Sequence, residues 1–70
     1  MRRRELVAKV QARARLRGRE WSLDRRGGRH DLWRCGQTVV TIPRHREINE
    51  LTALGILKSL QQELGENWWR

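Results

Sequence analysis

Seventy residues make one small domain, residues 1–70, with a thin core. Sixteen Lys and Arg stand against eight Asp and Glu, and a net charge of +8 excludes a charge-neutral module and points to an anionic partner. No apolar run approaches the roughly 20 residues that span a membrane, no apolar stretch follows the basic start as in a secretory leader, and the single Cys35 can form no internal disulfide, which fits a reducing cytoplasm.

Residues 4–17 read as a helix, because Leu6, Val7, Val10, Ala14 and Leu16 recur near a 3.6 period with basic residues between them. Gly18 is the stop. Glu20 to Arg25 alternates apolar and polar, as a half-buried strand does. Gly27-Gly28 ends it, and two glycines supply the positive φ that a tight reversal uses. His30 to Cys35 is a second strand, Gly36-Gln37 a short turn, and the β-branched Thr38 to Ile42 a third strand that Pro43 ends. A last helix runs from about residue 50 to 64, with Asn49 or Thr52 as N-cap. Its apolar stripe is Ile48, Leu51, Leu54, Leu57, Leu60 and Leu64. Gly55 inside it suggests the close approach of another backbone, Gly65 is the stop, and residues 66–70 are a tail.

The order is helix, three strands, helix. Short connections make the sheet an antiparallel meander, and with no second sheet both helices cover one face. This is an α+β domain with the α-β-β-β-α layout of the double-stranded-RNA-binding type. Strand parity places Trp33 inward with Val40 and Ile42, or the reverse. Trp21 and Trp33 are core residues or, if turned outward, base-stacking platforms. Trp68 and Trp69 either cap the core or stand out as an anchor for a partner protein.

Residues 1–46 hold 14 Lys or Arg against four Asp or Glu, while residues 47–70 are net acidic. Arginine dominates, and its planar fork suits phosphate and stacks on bases. The segment Arg25-Arg26-Gly27-Gly28-Arg29-His30-Asp31 carries the most chemistry. A glycine turn exposes backbone N–H groups to a phosphate oxygen, and arginines add charge-assisted bonds. Imidazole moves protons near neutral pH. Together these suit RNA strand cleavage, in which a base takes the 2′-OH proton and cations hold the phosphoryl oxygens. The plainer alternative makes His30 a turn residue on a basic surface. His45, within Arg44-His45-Arg46, is structural or a second proton carrier. His30, His45 and Cys35 are too few for a closed zinc site, so neither a metal nor another cofactor is expected.

The stretch from Trp21 through Gly27-Gly28-Arg29-His30-Asp31-Leu32-Trp33, followed by Ile42-Pro43-Arg44-His45-Arg46-Glu47-Ile48-Asn49-Glu50, resembles the HicA family of bacterial toxins. The resemblance runs from Arg4 to about Leu64. It implies a messenger-RNA interferase that works without metal and whose catalytic histidine is His30. Arg25, Arg26, Gly27, Gly28 and Arg29 would hold the scissile phosphate, with Arg44, His45 and Arg46 as further RNA contacts. It also implies a HicB-type antitoxin as protein partner. Arg29 stands where many members have serine, and the first helix with its basic run Arg13 to Arg19 is longer than usual. Two other readings fit the charge: a non-catalytic nucleic-acid-binding module of the same fold, and a subunit whose basic face meets an acidic protein.

Overall fold

The computed structural model describes residues 1–70. The order is α1 (Arg3–Leu16), β1 (Trp21–Arg26), β2 (His30–Cys35), β3 (Thr38–Pro43), α2 (Glu50–Ser59) and α3 (Gln61–Leu64). The strands form one antiparallel sheet in the order β1-β2-β3. The molecule is therefore a small α+β domain.

Helix α1 buries Leu6, Val10 and Ala14, one residue per turn of a single stripe, while Leu16 is 76% exposed. Gly18 ends it at φ 68°, with Gly18 N–H donating to Arg15 O and Arg19 N–H to Ala14 O. That pair of bonds is a Schellman cap, which satisfies carbonyls the last turn leaves free.

The pairs Asp31↔Ile42, Trp33↔Val40 and Cys35↔Thr38 put Asp31, Trp33, Cys35, Val40 and Ile42 on the face toward the helices. Trp33 thus faces inward, and it stacks on Trp21 at 4.8 Å. Both rings are half-buried, and their indole N–H groups are buried without a hydrogen-bond partner. The opposite face presents His30, Leu32, Arg34, Val39 and Thr41, and no helix covers it. Strand β1 is not the uninterrupted alternation its sequence suggests. The register shifts between Leu23 and Arg25, leaving Asp24 as an unpaired bulge residue. Leu23 stands opposite Trp33, but Arg25 stands opposite Leu32. One extra residue therefore moves Arg25 from the helix side to the open face.

The last helix is two pieces, not one. Asn49 is the N-cap, its side chain accepting from Leu51 N–H at 2.8 Å. At the other end Ser59 Oγ donates to Ile56 O at 2.7 Å, and Leu60 takes a non-helical conformation between α2 and α3. A serine hydroxyl bonding back to a helix carbonyl competes with the helical ladder. The inward stripe is Ala53, Ile56, Leu57, Leu60 and Leu64, and Leu51 is 81% exposed. Gly55 is exposed and a Cβ there would meet nothing, so no backbone approaches it.

The C-terminal residues belong to the core. Trp68 folds back and its Nε1 donates to Leu57 O at 2.8 Å, in a buried bond. Trp69 packs edge-on against it at 6.3 Å. Trp68 joins a single cluster of 13 buried residues that holds the helices against the sheet.

Candidate nucleic-acid interface

One end of the domain gathers the residues the sequence singles out. β1 ends there, β2 begins there with His30, β3 ends opposite His30 at Pro43, and α1 starts beside them. Eight arginines lie at this end: Arg2, Arg3, Arg4, Arg25, Arg26, Arg29, Arg44 and Arg46.

The glycine turn is built on close approach rather than on positive φ. Neither Gly27 nor Gly28 has the left-handed backbone, which occurs at Gly18, Gly36 and Gly65. Gly27 N–H donates to His30 O at 2.9 Å, and a Cβ on Gly27 would overlap that carbonyl. Glycine is required here because two backbones touch. The N–H groups of Gly28 and Arg29 carry no hydrogen bond within the chain. Two adjacent unbonded N–H groups in a turn are donors for an anion.

Arg44 is not a free contact residue. Its backbone N–H donates to Arg29 O at 3.0 Å, prolonging the ladder past β3. Its Nη1 donates to Gly27 O and Gly28 O, at 3.2 and 3.3 Å. Its Nε lies 3.3 Å from Asp31 Oδ1, a charge contact without hydrogen-bond alignment, so that buried oxygen accepts no hydrogen bond. Arg44 clamps the turn while its side chain stays in contact with solvent.

Asp31 ends the segment the sequence marks but has no role assigned to it there, and Arg3 lies outside that segment. Asp31 is 5% exposed. Arg3 Nη2 donates to its Oδ2 at 2.9 Å and Arg3 Nε to Pro43 O at 3.0 Å. The signal was available in the parity: Asp31 shares the inward side with Trp33 and Cys35, and a carboxylate there demands a cation.

His30 and His45 are exposed, and neither side chain makes a hydrogen bond, to the other or to any group. The bulge places Arg25 opposite Leu32, on the face His30 also occupies, while Arg26 lies opposite Asp31 on the other face. Three carboxylates at this end are engaged, while Glu5 in the first turn of α1 is in no ion pair. Asp31 pairs with Arg3 and Arg44, and Glu47 and Glu50 with the Met1 ammonium, at 2.9 and 3.0 Å. Those hydrogen bonds raise the pKa of the ammonium, and the ammonium lowers that of Glu47. Arg2, Arg4, Arg25, Arg26, Arg29 and Arg46 therefore have no carboxylate partner.

Cys35 lies in the core, far from this chemistry. Burial pushes its thiol pKa up, Glu63 adds to that, and Arg19 opposes it. No three His, Cys, Asp or Glu side chains group as metal ligands would. No helix is long and apolar enough to cross a membrane. No family model, no curated protein and no solved structure matches the chain.

Proposed function

We propose that the protein is an endoribonuclease of the HicA type, a messenger-RNA interferase, and that its layout is of the double-stranded-RNA-binding kind. The observation that carries this reading is the company of His30. An exposed imidazole shares the open sheet face with Arg25 and follows a turn whose Gly28 and Arg29 N–H groups are unbonded. In this reading those N–H groups and Arg29 hold the phosphoryl oxygens of the scissile link, with Arg25 beside them and Arg26 adding charge from the other face of the strand end. His30 takes the proton from the ribose 2′-OH, that oxygen attacks phosphorus, and the 5′-oxygen leaves with a proton returned to it. His45 and Arg46 contact the strand further along. Gly27 and Arg44 act one step back, by holding the turn. The partner that silences such an enzyme is a HicB-type antitoxin.

The test is RNA cleavage in EDTA by the protein freed of any antitoxin, beside a His30→Ala variant. Cleavage by the wild type alone supports the reading. Equal cleavage by both removes His30 from the chemistry. DNA of the same sequence, lacking the 2′-OH, stays uncut.

A second reading has an observation of its own. No side chain orients the His30 ring, whereas a general base is normally held by a partner. A binding module of the same surface would retain RNA, with salt-dependent affinity, and leave it whole.

A further inference from the structure

The chain folds its first residues back on the loop after β3. Arg3 N–H donates to Arg46 O at 2.9 Å, Ile48 N–H donates to Met1 O at 2.7 Å, and Arg2 and Glu47 form an isolated antiparallel bridge. This pairing brings Arg2, Arg3, Arg4 and Arg46 around one cleft of about 200 Å3, and nothing else lines it. A cleft lined by four arginines gathers positive charge at one place, and an anion entering it would be drawn by that charge.

The nearby carboxylates offset it only in part, and Glu5 in the first turn of α1 forms no ion pair with these arginines. Glu47 lies close enough to Arg2 to feel its charge, yet its own ion pair is with the Met1 ammonium. Of these four arginines Asp31 pairs with Arg3 alone, through Nη2. The side chains of Arg2, Arg4 and Arg46 make no hydrogen bond, so their donors are free. The cleft also opens at the start of the 14-residue α1, where the helix dipole adds to the field.

We propose that this cleft is a phosphate subsite distinct from the glycine turn, taking a second phosphodiester of the same RNA strand. The proposal rests on the RNA reading above and adds a site to it. Arg3 links the two places. One edge of its guanidinium bonds Pro43 O and Asp31, and Pro43 is the strand partner of His30. A strand held at His30, on the open face, would reach the cleft at the start of α1 around the end of β3. Such a subsite makes binding depend on RNA length, since a dinucleotide has no second phosphate to offer it.

The test compares wild type with an Arg2→Gln/Arg4→Gln double variant, both positions being exposed and outside the ion pairs. An Arg17→Gln/Arg70→Gln variant removes the same charge elsewhere on the surface. Affinity is measured by anisotropy for a labelled single-stranded RNA of twelve nucleotides and for a dinucleotide, across a salt series. Each lost phosphate contact lowers the log–log salt slope by about 0.7, so the double variant loses about 1.4 if both arginines engage phosphate. At low salt its affinity for the longer RNA falls about tenfold, its dinucleotide affinity holds, and the Arg17/Arg70 variant keeps the wild-type slope. Equal slopes for wild type and the Arg2/Arg4 variant, or equal losses in both variants, overturn the subsite and leave the RNA reading standing. A wild type that binds no RNA overturns both. Inorganic phosphate, titrated while the arginine Nε–H resonances are followed, is the last arm. Phosphate occupying the cleft without competing against the RNA would mean an adventitious ion only, and would also overturn the subsite.

Discussion

Gly27 and Gly28 are chemically identical neighbours, yet alanine at the two positions has opposite consequences. At Gly27 the added methyl group falls on the His30 carbonyl, which is backbone and cannot swing away. The turn must open to admit it. Opening gives up the Gly27 N–H to His30 O bond of 2.9 Å and disturbs the Arg44 bonds to Gly27 O and Gly28 O. A net loss of about 0.5–1.5 kcal/mol for the backbone bond, and about 1–3 kcal/mol for forced displacement, gives roughly 2–4 kcal/mol. A domain of 70 residues has a total stability of about 4–10 kcal/mol, so this is a large share. At about 4–8 °C per kcal/mol, the melting point falls by at least about 8 °C. At Gly28 a Cβ meets nothing and φ is not in the left-handed region. Alanine there is neutral or stabilises by about 0.4–1 kcal/mol, through a less free unfolded chain. Urea unfolding followed by tryptophan emission measures both variants. Equal midpoints for the two would refute the close-approach account of the turn.

Two further outcomes follow from contacts away from the turn. Trp68→Phe keeps the ring in the core but removes the Nε1–H bond to Leu57 O, and should cost about 1 kcal/mol in a urea titration; an unchanged midpoint would mean the tail holds by packing alone. The Met1 ammonium and Glu47 make stability depend on pH at both ends of the scale. The ammonium pKa is raised above its ordinary 8.0, so its contribution is whole below pH 8.0 and fades as pH climbs through the raised value. The Glu47 pKa is lowered from 4.5, so its contribution is whole above pH 4.5 and fades as pH falls through the lowered value. Urea midpoints should be flat between these limits, and N-terminal acetylation should abolish the alkaline fall.

The strands were legible because each is a short run with its own signature. Thr38 to Ile42 is β-branched, and Gly36 and Gly27-Gly28 punctuate its neighbours. The sequence left the parity open between Trp33 inward with Val40 and Ile42 and the reverse, and the strand pairing takes the first. Helix α1 was legible within a residue at each end. What was not legible depended on contacts between distant segments. The leucine stripe suggested one straight helix, but Ser59 and Leu60 break it so that Leu60 and Leu64 turn into the core while Leu51 stays outside. No local pattern reports that Leu57 offers a carbonyl to a tryptophan eleven residues later. The bulge at Asp24 leaves only a faint trace in sequence: Trp21 to Asp24 alternates, and Arg25 then stands where the next apolar residue would fall. At the candidate site charge density in the sequence marked a neighbourhood, and it could not sort one arginine from another.

That sorting is done by backbone pairing. Arg44 and Arg46 are two residues apart in one basic loop, and composition treats them alike. Arg44 follows β3 directly, and its N–H still belongs to the ladder, bonding Arg29 O. Its side chain is thereby aimed back across the turn, where the Gly27 and Gly28 carbonyls and Asp31 absorb its donors. Arg46 lies one pairing further on, where its carbonyl takes Arg3 N–H and its guanidinium joins the arginine cleft. Arg3 divides within a single side chain, holding Pro43 and Asp31 with Nε and Nη2 while also lining that cleft. Substituting Arg44 therefore loosens the platform beneath His30, whereas substituting Arg46 leaves the platform intact and removes only charge. The same residue type in the same loop thus serves the fold in one place and is free for an anion in the other.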